Sequence, residues 1–357
     1  MAFFKKFKTK TTKQPSSKKN IKKADAKAKT KPIKKVIVKV PAKVIISGEH
    51  AVVFNKTAVV CAIDMYMLVK IKKIHAPKII VKNNISKSLV IDLQDFSIEK
   101  KNENVVLEIL RRFFDKTKSP MCGMKISIKT SIPVGEGFGS SAALINGIVF
   151  GLNELFETKK KTNDLIKMAT NIENLFHGNS SGIDISAIAL GGVIYANYND
   201  ITKISHHLDE IWLVNTGCPS FSTKNVVHCI YDNFADKAKL WKEFENVSTD
   251  IAEILQSKEK LNQKITHNEN LLEKIGIVLP QTKLFIDELK KNGIYAKVCG
   301  AGTIAKNEIH GGNGVVGIFQ PLTNEQLIAL KTLCKKHRFT CIKCHIANAG
   351  VSIIVKR

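Results

Sequence analysis

Three glycines at alternate positions, followed by two serines, stand directly before a long apolar segment. They lie in the run PVGEGFGSS, Pro133–Ser141. Such glycines let backbone N–H groups turn toward a common point, and a helix that starts at the serines adds the positive end of its dipole. The spacing matches neither the dinucleotide fingerprint nor the Lys-containing P-loop. We predict a phosphate-binding loop; the alternative is a structural Gly-rich turn.

Two carboxylates lie in the segment ENLFHGNSSGID, Glu173–Asp184. Glu173 lies at the edge of the apolar face of a predicted helix, where a buried carboxylate is costly unless it meets a cation. Asp184 follows a Ser-Ser-Gly turn near the start of the next helix. Alone, it could be an ordinary first-turn acid that complements the helix dipole. The functional alternative is a group that accepts or orients the proton of a substrate hydroxyl.

A third polar group lies in PAKVIISGEHAVVF, Pro41–Phe54. Taken alone, Lys43 is typical of a solvated strand edge, and Glu49 and His50 after a glycine are typical of a turn. Nothing in this segment by itself indicates a reaction.

Together, the three segments resemble the signature motifs of the GHMP small-molecule kinases, and most closely those of the mevalonate kinases. The resemblance runs from about Val36 to the C-terminus. The segment NTGCPSFSTKNV, Asn215–Val226, is similar to a further family segment, and Gly300-Ala301-Gly302 resembles the start of the third, Gly-rich motif. The Gly-Glu-His-Ala-Val run favours mevalonate kinases over galactokinases and phosphomevalonate kinases.

The resemblance implies a role for each matching residue. Lys43 stabilises the transferring phosphoryl group and lowers the pKa of the attacking hydroxyl, and Asp184 is the catalytic carboxylate paired with it. The implied binding residues are Gly135, Glu136, Gly137, Phe138, Gly139, Ser140 and Ser141 for ATP, Ser141 and Glu173 for Mg²⁺, and Glu49, His50, Thr223, Gly300 and Ala301 for the substrate.

The implied function is the ATP-dependent phosphorylation of mevalonate at its 5-hydroxyl, which gives 5-phosphomevalonate and ADP in isoprenoid biosynthesis. ATP and Mg²⁺ are the implied cofactors. Two alternatives stay open. One is another GHMP kinase that acts on phosphomevalonate or a sugar. The other is a catalytically weak scaffold that binds RNA or a membrane.

The sequence departs from the family pattern at three places. Gly302 is followed by Thr303, and glycines return only at Gly311, so we predict an insertion over Thr303–His310 in the third motif. Ser180 stands where the family has proline. Phe221 stands where an arginine often precedes the Ser-Thr pair, which removes a cation near the acceptor.

The net charge of +25 is unevenly distributed. Residues 1–35 contain 14 lysines and one acid, Asp25, and almost no apolar residue after Phe7. Such a segment cannot bury enough apolar surface to offset the entropy of ordering. We predict a disordered arm that is a solvated tail. The functional alternative is weak binding of residues 1–35 to RNA or anionic lipid.

Apolar periodicity predicts the elements that must position these motifs. Val36–Val40 and Lys43–Ser47 are predicted strands separated by a bend at Pro41, and Val351–Val355 is a predicted strand of a second α+β unit. The fold class is α+β. The resemblance implies the two-domain GHMP kinase fold, with a ribosomal protein S5 domain 2-like N-domain and a ferredoxin-like C-domain. The predicted divisions are the arm 1–34, an ATP-binding domain 35–205 and a C-terminal domain 206–357.

Eight cysteines and no signal peptide predict reduced thiols and a cytoplasmic protein. Cys341-Ile-Lys-Cys344-His345 matches a haem-attachment pattern, but we predict that these are core or strand cysteines. No run of 18 apolar residues is present, so no transmembrane segment is predicted. A homodimer remains an open alternative to a monomer.

Overall fold

The structure, a computed structural model, describes residues 33–84, 88–96, 104–177, 180–197, 200–208, 210–257, 259–304 and 311–357. Most of the predicted arm lies outside the described residues. The unit Ile33–Arg357 begins two residues before the predicted boundary. Ile33 is buried, and the backbone N–H of Lys34 donates to the carbonyl of Arg357. The boundaries at residues 34 and 205 otherwise stay predictions.

A large mixed sheet and four helices come first in the chain. Their elements are β1 (Lys35–Ser47), β2 (Ala58–Lys73), β3 (Lys78–Asn83), β4 (Leu89–Asp92), α1 (Val105–Thr117), β5 (Met124–Thr130), α2 (Ser140–Leu155), α3 (Thr162–His177), α4 (Ile183–Leu190), β6 (Val193–Ala196) and β7 (Ile201–Ile204). A short 3-10 helix, Ala51–Phe54, follows β1.

A smaller sheet and five further helices follow. Their elements are β8 (Glu210–Asn215), α5 (Thr223–Phe234), α6 (Ala238–Gln256), α7 (Asn262–Lys274), α8 (Pro280–Lys291), β9 (Ala296–Cys299), β10 (Val315–Ile318), α9 (Asn324–His337), β11 (Thr340–His345) and β12 (Ser352–Lys356). The predicted α+β class is confirmed. None of the described helices is long and apolar enough to cross a bilayer.

The first sheet has the order β12-β1-β2-β5-β3-β4. Outside this order, β6 pairs with β2 on one side and with β7 on the other. The strand pairs of this sheet are antiparallel except β3 with β5. The second sheet has the antiparallel order β11-β8-β10-β9. The prediction that Val351–Val355 belongs to the second unit was wrong, because β12 pairs with β1. A strand pattern identifies a strand but carries no information about its partner.

The strand β1 is continuous, although two strands were predicted. The register with β2 shifts between Pro41 and Ala42. Proline has no N–H to donate to the ladder, and such a residue is accommodated at a bulge. The bulge therefore replaces the predicted break, and Lys43 follows it within the same strand.

Helix α2 approaches the first sheet closely, because two of its residues lack a side chain. A Cβ at Gly147 would lie 2.6 Å from Val69 Cγ2, and one at Gly151 would lie 2.9 Å from Ile71 Cδ1. Asn146 of the same helix donates from Nδ2 to the carbonyl of Ile185 in α4, at 3.0 Å. These contacts fix the starts of α2 and α4 relative to β1.

All eight cysteines are free. Cys341 and Cys344 lie in strand β11, as predicted. Within the described ranges, no cluster of three or more His, Cys, Asp or Glu side chains is suited to hold a metal ion by itself.

Candidate active site

The Gly-rich loop reaches α2 through a backbone that requires glycine. Gly135, Gly137 and Gly139 have φ angles of 80°, 93° and 77°, in the left-handed region. Gly139 is also the N-cap of α2, which begins at Ser140. A Cβ at Gly139 would lie 2.7 Å from Cγ of Lys43. The loop therefore packs directly on the aliphatic stem of that lysine.

Two loop residues predicted to bind ATP turn their side chains elsewhere. Phe138 is 2% exposed and packs in the core, and its carbonyl accepts from the backbone N–H of Lys43 at 3.1 Å. The carboxylate of Glu136 accepts from Asn215 Nδ2 in β8 at 2.5 Å. Neither side chain lines the cavity described below. These residues hold the loop in place, and only their backbones remain available to a nucleotide.

Lys43 and Asp184 form an ion pair at 2.9 Å, between Nζ and Oδ2. The lysine side chain is 4% exposed and the aspartate side chain 31%. Asp184 lies in the first turn of α4, after Gly182 at φ 72°. Its second oxygen, Oδ1, is buried and finds no hydrogen-bond partner among the described residues. A buried acceptor atom without a partner is unusual in native proteins and is suited to receive a donor from a ligand.

Glu173 of α3 is buried close to this pair. Its Oε2 accepts from the hydroxyl of Ser180 at 2.5 Å. Burial and the negative charge of Asp184 raise the pKa of Glu173 to about 7, against the opposing effects of the Ser180 hydrogen bond and the Lys43 charge. The two carboxylates thus repel each other beside a single lysine, and a further cation would relieve that repulsion.

Glu49 is paired with a lysine that the motifs did not reveal. Its Oε1 accepts from Nζ of Lys297 in β9, and the lysine side chain is completely buried. Burial raises the pKa of Glu49, although Lys297 and Lys43 oppose the shift. Burial by itself would lower the pKa of Lys297. The negative charge of Glu49 is the largest of the effects that oppose burial, and the net result is a raised pKa. The Oε2 atom of Glu49 has no partner among the described residues.

Glu269 of α7 lies on the other side of Lys297. Its Oε2 accepts from the backbone N–H of Val298 at 2.8 Å. Burial raises the pKa of Glu269 to about 8, against the Val298 hydrogen bond and the Lys297 charge. This carboxyl group therefore holds β9 just before Gly300.

His50 is buried and neutral. Burial lowers the pKa of His50 to about 4, against its hydrogen bond to the Ala301 carbonyl. Nε2 lies 3.0 Å from that carbonyl, which only accepts, so Nε2 carries the proton. Nδ1 is then an acceptor, and it has no partner within the described part of the chain.

The two ends of the predicted insertion in the third Gly-rich motif lie close together in the fold. The backbone N–H of Thr303 and Nδ2 of Asn313 both donate to the carbonyl of Ile277, at 3.1 and 2.6 Å. Residues 305–310 lie outside the described residues. Residues at the start of the predicted insertion Thr303–His310 and just after it are thus held at the same carbonyl group. Gly300 and Ala301, which precede it, line the cavity described below.

These side chains and loops surround one cavity of about 390 Å³. The predicted site residues that line it are Lys43, Glu49, His50, Gly135, Gly137, Gly139, Ser140, Ser141, Glu173, Asp184, Thr223, Gly300 and Ala301. Glu136 and Phe138 are the predicted residues that do not. Lys224, next to Thr223 in α5, also lines the cavity, so a cation is present there even though Phe221 replaces the arginine.

The comparisons with known proteins give consistent matches. Residues 104–192 match the family model of the GHMP kinases N terminal domain. The mevalonate kinase of Archaeoglobus fulgidus is 28% identical over 291 residues, which cover 80% of this chain and 93% of the relative. The mevalonate kinase of Methanocaldococcus jannaschii is 28% identical over 279 residues, which cover 75% of this chain and 89% of the relative.

A solved structure shows the same similarity in three dimensions. The crystal structure of the Methanococcus jannaschii mevalonate kinase superposes with a TM-score of 0.75 at 25% identity, and the match covers 87% of this chain and 98% of that one. Residues 104–192 therefore match the GHMP kinases N terminal domain, and the chain as a whole is similar to mevalonate kinases.

Proposed function

We propose that this protein is an ATP-dependent mevalonate kinase, which transfers the γ-phosphoryl group of ATP to the 5-hydroxyl of mevalonate and releases 5-phosphomevalonate and ADP. The observation that carries the proposal is the Lys43–Asp184 ion pair beneath the Gly-rich loop, in one cavity with Glu49 and His50. The names of the relatives supply the acceptor.

The ion pair provides the groups that phosphoryl transfer requires. Asp184 accepts the hydrogen bond of the 5-hydroxyl and takes its proton as the new O–P bond forms. The bond between the γ-phosphorus and the bridging oxygen breaks, and ADP leaves with the electron pair. Lys43 stabilises charge on the transferring group and on the attacking oxygen. Positioning and charge stabilisation provide most of the catalysis in reactions of this kind.

The nucleotide binds at the loop Gly135–Ser141, whose backbone N–H groups and helix start favour phosphate oxygens. The acceptor lies against Glu49, His50, Thr223, Gly300 and Ala301. The Nδ1 atom of His50 accepts a hydrogen bond from a substrate hydroxyl, and Lys224 at the cavity edge attracts the carboxylate of mevalonate. The side chain of Lys224 is exposed, so it acts as a loosely held charge.

Magnesium fits the residues present. Glu173 is repelled by Asp184, and an ion beside Glu173 would offset that repulsion. Glu173 and Ser141 would hold the ion together with oxygens of ATP, since Mg²⁺ usually takes few protein ligands beside substrate phosphates. The ion would neutralise negative charge on the phosphates of ATP.

The deciding experiment is an ADP-release assay on purified full-length protein with Mg-ATP and a panel of acceptors. The panel contains mevalonate, phosphomevalonate, galactose and homoserine. We expect turnover with mevalonate at least tenfold above that with the other three in kcat/KM. Release of ADP with another acceptor but not with mevalonate would overturn the acceptor assignment and retain the kinase. No release with any acceptor would overturn the kinase.

Two further assignments belong to the same proposal. We infer that the enzyme works in the cytoplasm, which its eight free thiols support. We also infer weak binding of residues 1–35 to RNA or anionic lipid, which their lysine content supports. A homodimer stays an open alternative, and sedimentation at micromolar concentration distinguishes it from a monomer.

A further inference from the structure

One face of the first sheet is exposed or half-buried along residues 35–39 of β1, residues 68–72 of β2 and the described strands β3 to β5, and we call this part the uncovered face. Further along β1, Ser47 contacts Ser248 of α6. In β2, the residues Met67, Val69 and Ile71 are buried, while the intervening Leu68, Lys70 and Lys72 are exposed. Residues directly opposite on neighbouring strands place their side chains on the same face of a sheet. The strand register therefore identifies which residues share the uncovered face.

Most of these outward positions are basic. Lys72 lies opposite Lys35 of β1 and Lys125 of β5, and Leu68 lies opposite Lys39 and Lys129. The alternation continues into β3. Arg357 exchanges backbone hydrogen bonds with Lys35 and so shares its face. We name this set the lysine face; it consists of Lys35, Lys39, Lys70, Lys72, Lys78, Lys82, Lys125, Lys129 and Arg357.

Acids do not balance these charges. On the described strands β1 to β5, the acidic side chains at exposed or half-buried positions are Asp64 of β2, which pairs with His345, and Asp92 of edge strand β4, opposite Lys78. No member of the lysine face forms an ion pair with another described residue. Partial burial and the positive charges of Lys70, Arg357 and Lys72 lower the pKa of Lys35.

Like charges directly opposite each other on a sheet are destabilising. The row Lys35, Lys72 and Lys125 places three of them side by side. Fold stability therefore does not account for this arrangement. A polyanionic partner would turn the same repulsion into attraction.

The side chains among the lysines distinguish between partners. They are aliphatic, with Leu68 37% and Val90 58% exposed, and Ile37 and Ile80 half-buried. Proteins that bind single-stranded nucleic acid on a sheet present aromatic rings to the bases. On the described part of this face the aromatic residue is Tyr66, and Nζ of Lys39 already covers its ring at 3.6 Å.

We propose that the lysine face docks the enzyme on an anionic lipid bilayer, with the lysines at the headgroups and the exposed aliphatic side chains between them. The six strands from β12 to β4 lie about 4.8 Å apart and so give a surface about 24 Å wide. Clustered Lys and Arg residues gain attraction at an anionic leaflet, each by roughly a fivefold factor in partition. Lysine suits a fluid headgroup layer because it acts as a point charge, whereas arginine favours bidentate recognition.

The lysine face is separate from the catalytic cavity, because none of its residues lines that cavity. Docking and phosphoryl transfer can therefore fail independently. The chain before β1 adds the lysines of residues 1–34, so the full-length protein carries both basic elements in every measurement.

The test is sedimentation with vesicles, using the full-length protein. Vesicles of phosphatidylcholine with 30% phosphatidylserine are compared with pure phosphatidylcholine. The test variant is the triple substitution Lys70→Glu, Lys72→Glu and Lys125→Glu. The matched control reverses three exposed helix lysines outside the face, Lys239→Glu, Lys290→Glu and Lys291→Glu. Both variants change the net charge equally.

We expect the face variant to lose about 100-fold or more in partition to the anionic vesicles, and the control to lose less than fivefold. Partition should also fall steeply between 50 and 300 mM salt. Equal losses in both variants would overturn the proposal, because net charge alone would then explain binding. Unchanged binding of the face variant would overturn it as well.

A single-stranded RNA 20-mer, titrated into the same variants, tests the other partner. A 100-fold loss of RNA binding in the face variant, with vesicle binding intact, would assign the face to nucleic acid and overturn the lipid proposal. Thermal unfolding and ADP release check that both triple variants remain folded. We expect a nearly unchanged Tm for the face variant, because Lys72→Glu adds an attraction to Lys35 while Lys72→Glu with Lys125→Glu keeps two like charges opposite each other.

Discussion

The hydroxyl of Ser180 donates to Oε2 of Glu173 at 2.5 Å, at the position where the motif that this segment resembles has a proline. Ser180 also accepts from the backbone N–H of Gly182, at 3.1 Å. One side chain thus links the carboxylate proposed for magnesium to the turn that leads to Asp184. The substitution replaces a rigid residue with a hydrogen bond to the ionised form of Glu173.

We expect Ser180→Ala to weaken the binding of Mg-ATP at pH 7 by about 3- to 10-fold, the usual effect of one lost hydrogen bond. The Ser180 hydrogen bond lowers the pKa of Glu173, so its loss leaves more of the carboxyl protonated at pH 7. Calorimetric titration with a Mg-bound, non-hydrolysable ATP analogue measures the change. The deficit should shrink at pH 8.5, and Ser181→Ala serves as the control. A deficit that does not depend on pH would contradict this explanation.

Substitution in the proposed catalytic pair, Lys43 and Asp184, should lower turnover strongly in a protein that still folds. We expect Asp184→Asn and Lys43→Met each to lower kcat by about 10²-fold or more, because each removes a group that acts on the reacting atoms. Asp164→Asn is the matched control, since Asp164 is an exposed first-turn acid of α3. ADP release measures the effect. A loss below tenfold in Asp184→Asn would rule out the proposed role of that carboxylate.

Gly139→Ala should reduce activity through a steric clash. The new Cβ would lie 2.7 Å from Cγ of Lys43, at a φ of 77° that disfavours any side chain. We expect kcat/KM to fall at least tenfold. Gly276→Ala tests the backbone strain alone, because Gly276 has φ 76° and open space around its Cβ position. That control should cost about 1 kcal/mol of stability and leave activity unchanged. Equal activity in the two variants would argue against the clash.

Substituting only one partner of the buried pair Lys297–Glu49 should lower the free energy of unfolding strongly. Lys297→Met leaves a buried carboxylate without its cation, and we expect the free energy of unfolding to fall by about 3–5 kcal/mol. Adding Glu49→Gln should restore much of the loss, because the buried charge is then gone. Urea unfolding of the single and double variants measures this. Additive losses in the double variant would mean that the two residues stabilise the fold separately.

The stability of the ligand-free protein should fall as pH rises from about 4.5 to 8. The pKa of Glu269 is raised to about 8 in the folded protein, whereas the unfolded chain ionises near 4.5. Between these values the folded state binds more protons, so unfolding releases a proton and becomes easier with rising pH.

Glu269→Gln keeps an oxygen acceptor for the N–H of Val298 and removes the titrating group. We expect this variant to lose a few kcal/mol of the pH dependence across the window, while Glu173, whose pKa is raised to about 7, retains a further part below pH 7. Urea unfolding at pH 5.5, 6.5, 7.5 and 8.5 tests the expectation. Parallel curves for the variant and the natural protein would show that other groups cause the dependence.

The residues that sequence reasoning found are those carried by contiguous motifs. Lys43, the loop Gly135–Ser141 and Asp184 each stand in a run whose residue types already indicate chemistry. Lys297 was not predicted as a site residue, because it lies in an apolar strand and is 248 residues away from Glu49 in the sequence. The one available signal was a lysine inside the apolar run IYAKVC, which offered no indication of its partner.

The fold shows the same division between local and distant information. Helices such as α2 and α9 follow from periodicity and caps, and Thr323 with Gln326 forms a complete capping box. The strands β4, β7, β9 and β11 were not predicted from periodicity, because their few residues lack a clear apolar run or alternation, whereas the equally short β6 and β10 were predicted from their apolar runs. Bonding across long chain distances, as between β1 and β12, is decided by the assembled sheet.

Strand β12, from the C-terminal part of the sequence, pairs with β1, from its N-terminal part. During synthesis, β1 emerges first and must wait for the last five-residue strand before that edge is covered. Until then, its N–H and C=O groups are open to pairing with another chain. A fragment that ends near residue 205 would keep this edge exposed permanently. The first sheet therefore stays incomplete during translation until residues 352–356 have been synthesised.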